Sequence, residues 1–159
     1  MTHRTETGAA LRSAAPEDLP AIELLLRQSG LPMEGVAESV GNFVVAESEG
    51  SIVGVVGLEV HEGHGLLRSA AVASEWRGAA LGQRLVARMI AEAEARGIRA
   101  LYLLTTTADR YFPRFGFTTT TRAELPAALN ASAELRGACP ASAIVMELCI
   151  TRDAGEVRS

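Results

Sequence analysis

The sequence lacks three features that would assign it to a well-defined class: a block of basic residues, a cysteine framework and a long apolar run. Its 15 Lys and Arg residues are outnumbered by 19 Asp and Glu residues, and the two signs are mixed along the chain, which argues against nucleic-acid binding. The two cysteines, Cys139 and Cys149, form no Cys-x-x-Cys pair, so no disulfide framework is expected. No apolar stretch approaches the roughly 20 residues that span a bilayer, which argues against a membrane protein.

The length and composition predict one domain in the cytoplasm. A chain of 159 residues fits the usual size of roughly 100–200 residues per domain, and 48% hydrophobic residues suffice for one core. The first residues carry charge without an apolar run after them, so no secretory signal is expected. We expect a single domain over residues 1–159 with flexible tails at 1–6 and 153–159, and the low cysteine content fits a reducing compartment.

Hydrophobic periodicity predicts an alternation of helices and strands. One helix is predicted from Pro16 to Gly30, and the strongest helix has Leu81, Leu85 and Met89 on one face. Strands are predicted over Ala9–Ala14, Phe43–Glu47, Ile52–Val60, Leu66–Ala73, Ile98–Thr105, Phe117–Arg122 and Ala143–Ile150, with weaker helical segments over Glu34–Val40, Ala108–Phe115 and Leu125–Arg136. The order predicts an antiparallel meander followed by a βαβ crossover.

The most informative segment is the loop Arg77-Gly78-Ala79-Ala80-Leu81-Gly82, ahead of the strongest helix. The unpaired N–H groups and the positive dipole end at a helix start favour an anion. Small residues let main-chain amides approach a phosphate, and Arg77 and Arg84 add positive charge. On this chemistry alone, a pyrophosphate site and a glycine-bearing turn without a ligand are equally good interpretations. The position after a meander argues against a Rossmann or Walker site.

A second pattern follows downstream in Ala108-Asp109-Arg110-Tyr111-Phe112-Pro113-Arg114-Phe115-Gly116-Phe117. With the loop, it resembles the GNAT superfamily of acetyl-CoA-dependent N-acetyltransferases. That family's cofactor loop reads Gln/Arg-x-x-Gly-x-Gly/Ala, and its later segment reads Ala-x-x-Phe/Tyr-Tyr-x-x-x-Gly-Phe. The resemblance runs from Pro16 to Phe117 in order and spacing. Ala80 stands where the family has glycine, which matters only if the backbone there has a positive φ.

The resemblance implies an α+β fold of three layers, in which helices flank a mixed, mostly antiparallel sheet of six to seven strands. Two central strands, Leu67–Ala73 and Ile98–Thr105, are expected to splay apart. The resemblance also implies acetyl-CoA as co-substrate and no metal. Main-chain groups at the end of the first of these strands would bind pantetheine like an added strand. The residues implied to contact the cofactor are Ala71, Val72, Ala73, Arg77, Gly78, Ala79, Ala80, Leu81, Gly82, Gln83, Thr106 and Phe112.

Acyl transfer needs a neutral amine, a stabilised thioester oxygen and a proton for the leaving thiolate. Glu59 is the candidate base, with an exposed hairpin acid as the equally weighted alternative, and Glu47 and Glu62 are weaker candidates. The family's tyrosine proton donor falls at Phe112, which cannot donate. Neighbouring Tyr111 is the substitute candidate, and its alternatives are a packed aromatic side chain, a water donor or unaided departure of the thiolate.

Polar residues on apolar strands are the candidates for substrate binding. Arg68 and Ser69 interrupt a central strand, where an arginine is costly unless it is paired or lines a cleft. Arg68 is therefore expected either to bind a substrate carboxylate or to pair internally with Glu59. Thr105 and Thr106 are expected to contact substrate and cofactor, or alternatively to cap the helix that follows.

Several segments narrow the resemblance to one branch. They are similar to ArsN-type acetyltransferases associated with bacterial arsenic-resistance operons. This similarity implies a small amino-acid-like substrate, with an arsenic-containing glutamate analogue, acetylated on its amino group, as one candidate. The segments are Gly57-Leu58-Glu59, Gly65–Val72, Leu101–Ala108 and Cys139-Pro140-Ala141-Ser142-Ala143.

The other potential ligands are assigned no chemical role. Two cysteines on separate elements are a poor site for trivalent arsenic, so Cys149 is expected in the core and Cys139 in a structural position. His61 and His64 lie near a turn without a third ligand and are expected to face solvent. Trp76 is expected to pack beside the loop.

The sequence therefore predicts an acetyl-CoA-dependent N-acetyltransferase that acts on the primary amine of a small polar molecule. No nucleic-acid or membrane partner is expected, and a homodimer is left open. Two alternatives remain. One is a peptide or protein N-acetyltransferase, and the other is a catalytically weak acyl-CoA-binding module, an interpretation that Phe112 and Ala80 favour.

Overall fold

The computed structural model describes residues 8–77, 80–132, 135 and 142–150. The strands are β1 (Ala10–Ser13), β2 (Val44–Ser48), β3 (Ser51–His61), β4 (His64–Val72), β5 (Ala100–Thr105), β6 (Thr118–Thr120) and β7 (Ile144–Cys149). The α-helices are α1 (Leu19–Gln28), α2 (Val36–Ser39) and α3 (Leu81–Ala95). Short 3-10 turns occupy Pro16–Asp18, Val40–Asn42, Ser74–Trp76, Phe112–Phe115, Arg122–Glu124 and Ala127–Ala131.

The strands form one seven-stranded sheet in the order β1-β2-β3-β4-β5-β7-β6. The pair β4 and β5 is parallel and is joined by α3, which is the predicted βαβ crossover. The pairs β1–β2, β2–β3, β5–β7 and β6–β7 are antiparallel. The predicted α+β fold with a mixed, mostly antiparallel sheet is therefore confirmed.

Two predicted elements between β5 and β7 are shorter than expected. The helix predicted over Ala108–Phe115 is only a 3-10 turn over Phe112–Phe115, which ends at Gly116 with φ of 101°. Pro113 lacks a backbone N–H, which limits helix growth here. The strand predicted over Phe117–Arg122 is confined to Thr118–Thr120, because the chain turns at Arg122 into the next 3-10 segment.

Residue contacts divide the chain into two units, the first of which comprises Met1–Leu58 and Ser69–Met89. Its core joins α1 to the inner residues of β2 and β3. Two glycines let large side chains approach β3 closely. A Cβ at Gly54 would lie 2.8 Å from Leu85 Cδ1 on α3, and one at Gly57 would lie 2.3 Å from Phe43 Cζ. Real Cβ atoms do not approach so closely, so both positions require glycine unless their neighbours move.

The second unit comprises Glu59–Arg68 and Ile90–Ser159. Its described core contains Leu66, Ala100, Tyr102 and Leu129, so β4, β5 and the 3-10 turn at Ala127–Ala131 meet there. Within the described ranges, no helix has the length and apolar character needed to cross a membrane. The single-domain organisation over residues 1–159 stays a prediction.

Candidate active site

The first unit carries the predicted phosphate loop at the start of α3. Gly78 and Ala79 lie outside the described residues. Ala80 has φ of 64°, and its carbonyl accepts a hydrogen bond from Arg84 N at 3.1 Å, which begins the helical pattern. A left-handed backbone costs a non-glycine residue about 1–2 kcal/mol. Ala80 therefore occupies the one conformation in which replacing the family's glycine has a cost.

The end of β4 lies near Arg77, the first residue of this loop. Arg77 Nε donates to Val72 O at 3.2 Å, while Ala73 N donates to Val53 O at 2.9 Å. The Ala73 amide is thus already used by β3, and the expectation that main-chain groups of Ala71, Val72 and Ala73 bind pantetheine stays a prediction that falls on their other main-chain groups. Val72, Ala73 and Arg77 do line a cavity of about 800 Å³ within the first unit, together with Ser74.

Three other predicted cofactor residues differ in exposure. Leu81 is 1% exposed, so its side chain belongs to the core. Only the main chain of Leu81 could then contact a ligand. Gly82 is half-buried and Gln83 is exposed. A ligand at the start of α3 would therefore meet main-chain groups and a polar side chain instead of the leucine side chain.

The second unit contains a buried polar cluster around Glu59. Arg68 Nη1 donates to Glu59 Oε2 at 2.6 Å, and His61 Nε2 lies 2.9 Å from Glu59 Oε1. Arg68 and Glu59 have side chains that are 0% and 5% exposed, whereas the His61 side chain is 22% exposed. The interpretation of Glu59 as an exposed hairpin acid is wrong, and internal pairing of Arg68 with Glu59 is confirmed.

These contacts determine the charge state of Glu59. Burial raises the pKa of its carboxyl. Hydrogen bonds from His61, Arg68 and Ser132 and the positive charge of Arg68 lower this pKa, and together they outweigh burial, so the pKa of Glu59 lies below its usual value. Glu59 is therefore a carboxylate at neutral pH. A carboxylate that has a lowered pKa and already accepts these hydrogen bonds has little tendency to become protonated.

The second unit contains the parallel pairing of β4 with β5. Parallel pairing of β4 with β5 covers three positions, from His64 opposite Ala100 to Leu66 opposite Tyr102, while β5 remains paired with β7 as far as Thr105. The expected splay of the two strands stays a prediction. Ser69 in β4 is 7% exposed and has φ of 61°, so the backbone of β4 is irregular at this residue.

Thr105 and Thr106 end β5 in different surroundings. The Thr105 Oγ1 accepts hydrogen bonds from Ala108 N at 2.9 Å and Thr107 N at 3.3 Å. This geometry supports the capping interpretation of Thr105, since its oxygen holds the turn after β5. Thr106 is exposed.

Tyr111 and Phe112 lie in an aromatic cluster. The ring of Tyr111 packs edge-on against Phe112 at 5.2 Å and Phe115 at 5.6 Å, and the Arg114 guanidinium lies 4.3 Å from its ring centre. Phe112 is 8% exposed and packs against Phe117. Burial raises the pKa of Tyr111, and the charge of Arg114 partly opposes this. The hydroxyl thus stays protonated at neutral pH, as a proton donor must.

Other predicted positions are placed differently from expectation. Cys149 is exposed, because it is the last residue of β7 and lies opposite Ala100 at the start of β5. His64 is half-buried, with a buried Nδ1 for which the described residues provide no hydrogen-bond partner. Trp76 is 4% exposed and packs as expected, whereas Cys139 lies outside the described residues.

The weaker base candidates have other surroundings. Glu47 accepts a hydrogen bond from Arg12 Nε at 2.8 Å, and Glu62 occupies the β3–β4 turn with φ of 53°. Glu47 therefore belongs to an ion cluster of the first unit, and Glu62 is a turn residue with a left-handed backbone.

Sequence reasoning missed several polar contacts. His61 lies two residues from Glu59 in the same strand, and that spacing places both side chains on one face, so their contact could have been anticipated. Ser132 is remote in sequence and gave no such signal. Tyr102 donates to Glu147 Oε2 at 3.0 Å, and burial together with this carboxylate raises the pKa of Tyr102 to about 12. That pair depends on the register between β5 and β7.

Comparisons with solved structures find the same fold. N-acetylglutamate synthase from Neisseria gonorrhoeae, solved with coenzyme A and N-acetyl-glutamate, matches 90% of this chain and 35% of its own with a TM-score of 0.77 and 24% identity. Rv2747 from Mycobacterium tuberculosis, solved in complex with CoA and NLQ, matches 88% of this chain and 98% of its own with a TM-score of 0.73 and 24% identity. These likenesses concern the fold.

Sequence comparisons find relatives that are named amino-acid acetyltransferases. An amino-acid acetyltransferase of Ralstonia nicotianae is 35% identical over 89 residues, which are 55% of this chain and 20% of the relative. The chain spans between 20% and 30% of the length of the curated relatives it matches. The family model described as the acetyltransferase (GNAT) domain matches residues 39–119, just over half of the chain. This match takes in β2 to α3 and the aromatic segment after β5, and on it the chain belongs to the GNAT acetyltransferase family.

Proposed function

We propose that this protein is an N-acetyltransferase that moves an acetyl group from acetyl-CoA to the primary amine of a small, polar, amino-acid-like molecule. The observation that carries the proposal is the family match over residues 39–119, which includes the loop before α3 and the Tyr111–Phe117 segment. Relatives named amino-acid acetyltransferase support the substrate class. The low cysteine content supports a cytoplasmic location.

The first unit would hold the cofactor's phosphates. The helix α3 has 15 residues, and the N–H groups of its first turn have no acceptor within the helix. Arg77 is exposed beside them, with its Nε on Val72 O. A negative pyrophosphate is favoured at such a helix start. These residues fit the phosphates of acetyl-CoA, which would supply the acetyl group as an activated thioester.

The reaction would proceed by direct attack of the amine on the thioester carbon. The C–N bond forms, the C–S bond breaks, the amine loses a proton to a base, and the departing thiolate gains one. Tyr111 is the proposed proton donor, because its hydroxyl is protonated at neutral pH and lies in the segment where the family has a donor. Thr105 and Arg68 are proposed to bind the amine substrate, although both side chains already make internal contacts.

A narrower substrate is an arsenic-containing glutamate analogue. Support for it comes from the similarity of Gly57–Glu59, Gly65–Val72 and Leu101–Ala108 to ArsN-type acetyltransferases. Such a molecule has the α-amino and α-carboxylate groups of an amino acid. It therefore belongs to the proposed substrate class and differs from glutamate in the acidic group of the side chain.

The test is acetyl transfer across a panel of amines, read by mass spectrometry of the acetylated product and by release of the CoA thiol. The panel contains glutamate, glutamine, an arsenic-containing glutamate analogue, a polyamine, and peptides with a free N-terminus or lysine. Cys149 is exposed and would react with a thiol reagent, so a protein-only blank is subtracted. We expect turnover with the amino acids or the arsenic analogue and little with peptides.

Two variants test the phosphate assignment in the same assay. Arg77→Ala should raise the KM for acetyl-CoA several-fold with a smaller change in kcat. The substitution removes a positive charge that would interact equally with the cofactor's phosphates in the ground state and in the transition state. Arg27→Ala, an exposed position in the last turn of α1, should leave both constants unchanged. Turnover with peptides alone would favour the peptide acetyltransferase. Acetyl-CoA binding without turnover of any amine would favour the weak acyl-CoA-binding module.

A further inference from the structure

The polar cluster around Glu59 in the second unit contains one side chain that water reaches. Glu59 and Arg68 have side chains that are 5% and 0% exposed, whereas the His61 side chain is 22% exposed. Ser132, which also donates a hydrogen bond to Glu59, is 1% exposed. All four residues belong to the second unit. An amine that approaches this cluster could therefore touch the imidazole of His61, but not the carboxylate or the guanidinium behind it.

The contact with Glu59 determines which nitrogen of His61 carries a hydrogen. The lowered pKa of Glu59 keeps it a carboxylate, and a carboxylate can only accept hydrogen bonds. His61 Nε2 lies 2.9 Å from Glu59 Oε1, so Nε2 is the nitrogen that donates. In a neutral imidazole the other nitrogen, Nδ1, then has the free lone pair. The ring is thus held in the tautomer that can accept a proton at Nδ1.

The charges of the cluster act in opposite directions on a protonated His61 ring. The carboxylate of Glu59, in direct contact with Nε2, would stabilise an imidazolium. Arg68 would repel it, but the Arg68 guanidinium donates to the other carboxylate oxygen, Oε2, at 2.6 Å. The energy between two charges falls with their separation, so the carboxylate in contact with the ring has the larger effect. A base that is oriented by a third group in this way is the arrangement that activates nucleophiles in many enzymes.

We propose that His61 is the base that takes the proton of the attacking amine, and that Glu59 is a positioning residue that holds the His61 ring in the accepting tautomer. As the C–N bond forms, an N–H bond of the amine breaks and its proton moves to Nδ1, while the C–S bond breaks as in the proposed function. The Glu59 carboxylate stays charged throughout. This inference deepens the proposed function and rests on it.

A substitution at His61 separates proton transfer from structure. His61→Gln keeps an N–H donor for Glu59 but supplies no base. We therefore expect kcat with the best amine of the panel to fall by about a hundredfold or more, while the KM for acetyl-CoA stays within about twofold. His64→Gln, at the histidine that begins β4 after the turn, should keep the wild-type kcat. A His61→Gln enzyme as active as the wild type would overturn the proposal.

Rescue by a small base distinguishes a lost base from a lost contact. Imidazole added to His61→Ala should raise kcat in proportion to its concentration, because it supplies the missing lone pair in the vacated space. The same imidazole should leave the wild type and His64→Gln unchanged. Slow turnover in both His61 variants, without any gain from imidazole, would give His61 a structural role and contradict the proposal.

The role of Glu59 is tested by the order and the additivity of the losses. Glu59→Gln should lower kcat less than His61→Gln does, since the base itself remains. Groups that act as a unit are not additive, so Glu59→Gln should cause little further loss when it is added to His61→Gln. A larger loss in Glu59→Gln than in His61→Gln would instead make Glu59 the proton acceptor.

Failure of the inference and failure of the proposed function give different results. If the wild type acetylates no amine of the panel, the proposed function fails and the base role fails with it. If the wild type is active and His61→Gln is equally active, only the base role fails. Should Glu59→Gln not fold, the two His61 variants and the imidazole rescue decide the question alone.

Discussion

Each unit of the molecule contains an arginine–carboxylate cluster, and the two clusters differ in their exposure to water. In the first unit, Arg12 contacts Asp18 at 2.8 Å and Glu47 at 2.8 Å, with side chains that are 40%, 10% and 36% exposed. In the second unit, Arg68 contacts Glu59 at 2.6 Å, with side chains that are 0% and 5% exposed. The contacts are chemically alike, but only the second arginine is removed from water.

The comparison shows what each cluster can do. Asp18 also accepts a hydrogen bond from Ala15 N at 2.7 Å, so the first cluster joins β1, β2 and the segment that begins α1. Asp18 is buried, but water reaches Arg12 and Glu47 and screens their charges, and pairs exposed in this way contribute little net stability. The second cluster is shielded from water, so each partner depends on the other.

The largest expected effect comes from removing the buried arginine. Arg68→Met should lower the free energy of unfolding by about 3–5 kcal/mol, because Glu59 remains buried without its charge partner. Denaturant unfolding followed by circular dichroism measures the change. The control Arg110→Met, at an exposed arginine, should alter it by less than about 0.5 kcal/mol.

A double variant then tests whether the cost comes from the unpaired charge. In Glu59→Gln/Arg68→Met both charges are absent, so much of the loss should be recovered. A double variant that is no more stable than Arg68→Met would show that packing, and not charge, sets the importance of this position. The contrast between the two clusters would then need another basis.

Acid titration should distinguish the clusters by an intermediate effect. The pKa of Glu59 is lowered, since its hydrogen bonds outweigh burial, and the hydrogen bond from Arg12 lowers the pKa of Asp18 against the effect of burial. A carboxylate with a lowered folded-state pKa stabilises the fold above its unfolded pKa, and this stability is lost as the pH falls through the folded value. The ordinary pKa values from which these two carboxyls are lowered are 4.5 for a glutamate such as Glu59 and 3.8 for an aspartate such as Asp18.

The contribution of these two carboxylates to the free energy of unfolding should therefore be constant near neutral pH, and it should decrease below about pH 4.5. Glu59→Gln should remove the part of this fall that begins at the higher pH, and Asp18→Asn the part that begins at the lower pH. Urea unfolding at a series of pH values measures both slopes. Slopes identical to that of the wild type would mean that neither carboxylate is stabilised as a charged group in the fold.

The smallest effect is expected at the exposed cluster. Arg12→Met should lower the free energy of unfolding by about 0.2–1 kcal/mol, as for other water-exposed ion pairs, and 0.5 M salt should shrink the difference. Arg68→Met should show little dependence on salt, since its pair is buried. A loss at Arg12 as large as that at Arg68 would remove the distinction drawn from exposure.

Particular residues show how far sequence reasoning reached into the site. The loop at Arg77–Gly82 and the family both followed from motifs, because these depend on local composition and order along the chain. The two open interpretations of Arg68 could not be separated, since its contact with Glu59 depends on the pairing of two strands. Cys149 was misplaced for the same reason: its apolar neighbours predicted a strand but not which strand end faces water.

The sequence by itself determined the order of helices and strands, the helix start that suits an anion and the membership of a family, because periodicity, glycine placement and motifs act over a few residues. Only the tertiary structure decided that Glu59 is buried and paired, that Thr105 caps a turn, and that Ser69 and Ala80 adopt left-handed backbones. The burial and pairing of Glu59 arise when separate strands are packed together, because desolvation and strand pairing then select among contacts that the sequence leaves open. The Thr105 cap is a local contact, but the sequence could not decide between this cap and contact with a ligand.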